Sequence, residues 1–309
     1  MGYPVKAGNA NYSSTGSGNT SKFIPQLYSG KLVEKFYDAT VFGDIANTDY
    51  EGEIKAHGDE VIIRTVASIT ITDYVKGTKL DYEQPESPDV SLKINKGKAF
   101  SFELKLVDEH QSDLNLMNTW SEDGGNQMKV SVDTDVLGAV YTSAHATNSG
   151  DKAGKTSGDI KLGTSGAPLA LDKSNILDAL VDYGTVLDEH TVPEASRWVV
   201  LPPKACGLIK KSDLRDASIS GDGTSLLRNG RLGMIDRFTI YNSNLLNVSA
   251  RKYDIIFGHK SAITFAGQIT HMEKLKNPDD FGELCRSLFV FGFEVIKPES
   301  LGHSVVTIN

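Results

Sequence analysis

A chain of 309 residues with 39% hydrophobic and 23% charged side chains has the make-up of a folded protein, long enough for one elaborate domain or two ordinary ones. Its 32 Lys and Arg against 40 Asp and Glu leave a net charge of −8, which argues against a dedicated nucleic-acid binder, because neutralising phosphates needs a basic surface. Two distant cysteines, Cys206 and Cys285, argue against disulfide and zinc frameworks, and the lack of both a membrane-length apolar run and a signal-peptide pattern points to a cytosolic protein.

Residues 1–22 are rich in Gly, Asn, Ser and Thr and read as an extended arm, too polar to bury a core of their own. Residues 23–52 hold an apolar-periodic segment, with Leu32 and Phe36 on one side of an expected short helix. Across 53–107 the pattern changes to that of an antiparallel hairpin. Val61, Ile62 and Ile63, then Ile69, Ile71 and Tyr74, form the outgoing strand, and Gly77 to Asp89 with Pro85 and Pro88 form an exposed tip. Leu92, Ile94, Phe100, Phe102, Leu104 and Leu106, all at even positions, predict one sustained returning strand over Val90 to Val107. A freestanding hairpin of this kind is marginal in water, so a partner is implied.

Helical sequence follows over 108–145. Leu114, Met117 and Trp120 share a threefold spacing, and Met128, Val132, Val136 and Val140 repeat every four residues. Gly124 and Gly125 interrupt it at a cost of roughly 1 kcal/mol each against alanine, which predicts a kink or break and makes them hinge candidates. Ser143 to Pro168 is a loop suited to a domain crossover. A second helix then opens at an N-cap of Asp172 or Ser174, with Ile176, Leu177, Leu180, Val181 and Leu187 on its apolar side.

Pro193 to Leu246 reads as one unit. Trp198 to Leu201 is a short buried strand ended by Pro202 and Pro203, and Pro203 then starts a helix carrying Ala205, Leu208 and Ile209. A Gly-rich polar loop over Ser220 to Gly233 precedes a return strand of Met234, Ile235 and Phe238 to Tyr241. Beyond it, Tyr253 to Phe257 and Ala262 to Phe265 read as short strands, and His271 to Lys276 and Leu288 to Ile296 as extended segments, the latter with Phe289, Phe291 and Phe293 on one side.

This order of features resembles the tailed-phage major capsid (coat) proteins, the Hong Kong ninety-seven fold shared with herpesvirus shells and encapsulins. The resemblance rests on Pro193, Arg197 to Pro203 and Leu208, then on Gly230, Leu232, Gly233, Ile235, Phe238, Ile240, Tyr241, Ser243, Asn244 and Leu246, and it extends over about Phe23 to Val305. It implies an α+β fold with an N-terminal arm (1–22), an N-terminal helix and lead-in (23–52), a long extended β-hairpin loop (53–107) and the spine helix of a peripheral domain (108–145). An axial domain with its crossover loop (146–260) and a return to the peripheral domain (261–309) complete it. The implied function is self-assembly of hexamers and pentamers into the icosahedral head that encloses double-stranded DNA. Implied partners are further copies of the chain, a separate scaffolding protein, a portal and a decoration protein, with assembly in the host bacterial cytoplasm and no membrane. A scaffold is expected to be separate because the resemblance starts about 23 residues from Met1, leaving little room for a long scaffolding segment.

Lys76, Lys79, Asp81, Glu83 and Glu86 at the hairpin tip are the candidate subunit contacts. Some capsids of the resembled fold join a loop lysine to a neighbour's asparagine, which would put Lys76 or Lys79 in that role; solvated surface lysines are the plainer reading. No catalytic, cofactor-binding or metal-binding residue is expected. Adjacent residues such as Asp188-Glu189-His190 or Asp108-Glu109-His110 point in different directions on a helix, Gly221-Asp222-Gly223 lacks the rest of a phosphate loop, and no GxSxG occurs. An encapsulin-like nanocompartment shell and a soluble ligand-binding or enzymatic oligomer are the competing readings.

Overall fold

The computed structural model describes residues 40–49, 60–64, 69–73, 75–77, 79, 82–84, 89–105, 116–212, 233–278 and 280–308. The expected arm, most of the lead-in, and the loop from 213 to 232 lie outside these residues.

The chain enters through a single-turn helix α1 (Phe42–Ile45). Strands β1 (Glu60–Arg64) and β2 (Asp89–Lys93) then pair antiparallel, with Val61 opposite Leu92 and Ile63 opposite Val90. Here the structure departs from the long returning strand that the alternation predicts. The strand stops at Lys93, and after Ile94 and Asn95 a separate strand β3 (Lys96–Lys105) begins in a different sheet. Packing is the reason. The backbone of Lys93 and Ile94 lies directly on Gly292, where a Cβ would overlap the Lys93 carbonyl oxygen, so the chain crosses over a neighbouring strand at a point that has no side chain. The expected outgoing residues Ile69 and Ile71 belong to no strand.

Helix α2 (Leu116–Val140) runs unbroken for 25 residues, which corrects the break expected at Gly124 and Gly125. Tertiary packing outweighs their poor helix propensity. The Phe100 ring sits against Gly124, where a Cβ would be 3.0 Å from it, so this glycine lets helix and strand approach closely. Val132, Val136 and Val140 are buried as their fourfold spacing predicts.

After strand β4 (Leu169–Leu171) comes helix α3 (Ile176–Glu189). Its first turn is preceded by a local knot in which Asp172 Oδ1 accepts from the Ser174 and Asn175 amides, while Asn175 Oδ1 accepts from the Asp172 amide at 2.8 Å. Strand β5 (Arg197–Leu201) leads through Pro203 at the first turn into helix α4 (Pro203–Lys211). The return strand predicted as one is a tight hairpin. Strands β6 (Met234–Ile235) and β7 (Phe238–Asn242) are joined by Asp236 and Arg237, both at positive φ (44° and 67°), the signature of a type I′ turn. β7 lies parallel to β5, so β5, α4 and β7 form a βαβ crossover.

Of the remaining strands, the middle three are longer than the segments read for them in the sequence, and the first and last have no segment there. The five are β8 (Val248–Ser249), β9 (Lys252–His259), β10 (Ile263–Lys276), β11 (Gly282–Val295) and β12 (Leu301–Ile308). β10 and β11, each of 14 residues, form a hairpin that β3 extends into a three-stranded sheet, with a register shift between Ile269 and His271. β12 does not stay with them: it pairs antiparallel to β9 and parallel to β4 in a seven-stranded sheet of order β4-β12-β9-β5-β7-β6, with β8 on β9.

Among the described residues the two largest buried clusters lie on opposite sides of β5, which contributes to both. Val199 and Leu201 pack into one of them with Ala179, Leu180 and Tyr183 of α3, Ile209 of α4 and Phe257 of β9, and Leu180 and Tyr183 are each only 1% exposed there. Trp198 and Val200 face the other way, onto Val132, Val136 and Leu137 of α2, Ile45 of α1, and Ile263, Phe265 and Phe291 of the β10–β11 hairpin. All five β5 residues are buried, which is why the strand reads as a continuous apolar run and not an alternating one.

Candidate assembly surfaces

Beyond β1 and β2, the large apolar side chains of the hairpin limb among the described residues lie in solvent. Ile71 is 95% and Tyr82 92% exposed, and Ile69 and Val75 are exposed beside them. Lys76 stands exposed on a turn completed by Gly77 at φ 94°, and Lys79 follows it. The Thr70 amide donates to Glu83 Oε2 at 3.2 Å, so this carboxylate ties the two sides of the limb together. Of the five predicted contact residues, Lys76, Lys79 and Glu83 share this limb, while Asp81 and Glu86 lie outside the described residues. Ile69, Ile71, Val75 and Tyr82 are thus large apolar side chains left exposed on one stretch of chain.

A second surface runs along α2. Phe42, Phe100, Gly125, Met128, Val132 and Phe289 line an apolar groove of about 310 Å³. Gly125 opens onto it, with nothing within 4 Å of where a Cβ would be. Of the two hinge candidates, Gly124 packs against the Phe100 ring and Gly125 forms part of the open groove wall.

A third feature has no sequence signal of its own. At the β10–β11 turn Phe281 is 82% exposed, and the turn beneath it is tied down by Lys105 to Asp280 at 3.2 Å and by the Asn277 side-chain amide donating to Glu103 Oε1 at 2.6 Å. A lone aromatic in a polar turn gives no periodicity to read.

Two buried charges brace the scaffold behind these surfaces. Asp133, fully buried on α2, accepts from the Val41 amide at 3.0 Å and the Phe42 amide at 3.1 Å, capping α1, which has no side-chain cap of its own. Burial pushes its carboxyl up to about 6 against the pull of the two amides. Arg197, 1% exposed, donates to the Pro193, Gly184 and Val192 carbonyls and to Asp188 Oδ1 at 2.6 Å. Arg237 holds the other Asp188 oxygen at 3.0 Å and Glu194 at 2.8 Å. Burial would raise the Asp188 carboxyl, but the two guanidiniums hold it below the usual carboxylate range.

The arrangement offers no shared catalytic centre at Asp188-Glu189-His190. Asp188 goes to the arginines, Glu189 accepts the Thr156 and Ser157 amides, and His190 meets Thr147. Among the described residues no group of three His, Cys, Asp or Glu side chains could hold a metal ion, and no helix is long and apolar enough to cross a membrane. Asp108-Glu109-His110 and Gly221-Asp222-Gly223 lie outside the described residues.

Comparison with known proteins gives this framework its family. The family model described as phage capsid protein matches residues 87–299. A chain of Mycobacterium phage Che8 is similar at 25% identity, with a TM-score of 0.73 over 95% of this chain and 98% of that one. The fold is also that of the capsid of Cyanophage P-SCSP1u, at 16% identity and a TM-score of 0.69 over 96% and 95% of the two chains. The mature capsid of bacteriophage PhiM1 agrees at 16% identity and a TM-score of 0.64 over 100% and 99%. No curated protein matches the sequence. These matches do not favour the nanocompartment alternative, and the family implies a structural, non-enzymatic role. The chain belongs to the phage capsid protein family, and it is a major capsid protein that builds the virion shell of a tailed phage by self-assembly.

Proposed function

We propose that copies of this subunit form hexamers and pentamers in an icosahedral head around double-stranded DNA, and that the limb at residues 69–84 bridges neighbouring subunits. The exposure of Ile69, Ile71, Val75 and Tyr82 on that limb carries the reading, since such side chains are left without cover in an isolated subunit. Lys76, Lys79 and Glu83 would supply the polar rim of the contact. Each contact is modest, and a closed lattice repeats it many times. The net charge of −8 suits a wall that encloses DNA without gripping it. A separate scaffolding protein, a portal and a decoration protein complete the proposed particle, which forms in the host bacterial cytoplasm, and catalysis has no part in it.

Negative-stain electron microscopy of the chain produced with and without its neighbouring phage genes tests this. Uniform closed shells with those genes, and aberrant shells or tubes without them, are expected. Replacing Ile71 and Tyr82 together by Asp should abolish shells while leaving the circular dichroism of the subunit unchanged. Small discrete oligomers under every condition would overturn the proposal.

A further inference from the structure

Where α2 ends, the chain makes two single-turn 3-10 helices, Tyr141–Ser143 and Ala146–Asn148, before entering the crossover loop. This junction joins the helix that packs on the hairpin sheet to the end of α3 on the large sheet. One relay of side chains spans it. His145 Nδ1 lies 2.8 Å from Thr147 Oγ1, and Thr147 Oγ1 lies 2.7 Å from His190 Nε2 at the C-cap of α3. The rings are 5.5 Å apart in an edge-on arrangement.

The protons on this relay are constrained. The Thr147 amide donates to His145 Nδ1 at 3.3 Å, so that nitrogen is an acceptor and its proton sits on Nε2. The Thr147 hydroxyl has a single proton to share between His145 Nδ1 and His190 Nε2. On the far side of the second ring, His190 Nδ1 is buried without a hydrogen-bond partner. Protonating His190 puts N–H groups on both its nitrogens, one of them with nothing to donate to.

The ionisable groups facing His190 come from every element around it: His145 after α2, Glu299 from the turn before β12, Lys155 from the crossover loop, and its neighbour Glu189. We propose that His145, Thr147 and His190 form an acid-sensitive joint, closed when the His190 ring is neutral and opened when it takes up a proton, that governs how firmly the end of α2 is held to the end of α3. Burial first, and the neighbouring His145 second, hold the His190 imidazole below its ordinary value. The sign agrees with the geometry, because a depressed base contributes stability that is full above its unfolded value and lost as pH falls through the folded one. The backbone held by the joint is specific. The Gly154 amide donates to the Thr147 carbonyl at 2.8 Å, the His145 amide to the Pro298 carbonyl at 3.2 Å and the Asn148 amide to the His145 carbonyl at 2.9 Å.

Hydrogen–deuterium exchange on the full chain, corrected for intrinsic rates, tests the joint at pH 7.5 and pH 5.5. Opening that takes up one proton shifts by up to tenfold per pH unit between the two pKa values, so exchange at residues 145–157 should rise roughly three- to tenfold on acidification, while β5 stays protected. His190→Gln keeps a group able to meet Thr147 without titrating, and should flatten that rise. Thr147→Val removes the shared hydroxyl and should raise exchange already at pH 7.5, leaving a smaller pH ratio. An unchanged exchange in the wild type, or the wild-type ratio in either variant, would overturn the proposal. Both outcomes are independent of whether shells form.

Discussion

Replacing Asp133 by Asn isolates the cost of burying a charge at the point where the chain enters the fold. The native carboxyl lies at about 6 against an ordinary 3.8, so its ionised form is disfavoured by burial. A raised acid contributes stability that is full below 3.8 and lost as pH climbs through about 6. The whole difference is about 3 kcal/mol, of which about 2 kcal/mol falls between pH 4.5 and 7.5. The asparagine cannot ionise, but its single carbonyl oxygen can satisfy only one of the Val41 and Phe42 amides, at a cost of roughly 1–2 kcal/mol. The variant should therefore be equal to the wild type or up to about 1 kcal/mol less stable at pH 4.5, and about 1–2 kcal/mol more stable at pH 7.5. Urea unfolding of unassembled subunits, followed by the fluorescence of buried Trp198, measures both. A wild-type-minus-variant difference that stays constant across this pH range would refute the reasoning.

Three further outcomes follow from packing. Gly125→Ala should stabilise the subunit by about 0.5–1 kcal/mol in urea melts, since open space surrounds the new methyl, whereas Gly124→Ala should gain less or lose because its methyl meets the Phe100 ring. Gly292→Ala should cost more than about 3 kcal/mol, or prevent folding, because its Cβ would overlap the Lys93 carbonyl; circular dichroism and urea melts read this directly. Arg197→Met should cost roughly 3–5 kcal/mol in thermal or urea unfolding, as the carbonyls of Gly184 and Val192 lose buried donors.

The parts of the fold that were legible in the sequence are those where one local rule decides. Trp198 to Leu201 is apolar throughout because both faces of β5 are covered, and Pro202 and Pro203 punctuate it unambiguously. The fourfold valine stripe of α2 likewise survives into the buried core. What could not be read depends on contacts distant in sequence. The alternation from Val90 to Val107 continues evenly through Ile94, and only the far-off Gly292 makes the strand divide there. Gly124 looks like a breaker until Phe100 is set against it. Among the assembly candidates, the exposed limb carrying Lys76, Lys79 and Glu83 was visible as a polar, proline-rich tip, but Phe281 and the groove under Gly125 exist only once β10, β11 and α2 have been brought together.

The division between β2 and β3 also fixes a load path. A tug on the projecting limb passes through Ile94 and Asn95 into β3 along its own axis. From there the paired residues, Lys96 opposite Phe291 through Lys105 opposite Gly282, resist together in shear, where a sideways pull would peel them one at a time. The large sheet, whose strands pair with neither β2 nor β3, meets that load only through side-chain packing, where Trp198 and Val200 of β5 share a core with Phe265 and Phe291. The limb is thus moored like a rope laid along a beam, its pull spread over ten paired residues instead of falling on one.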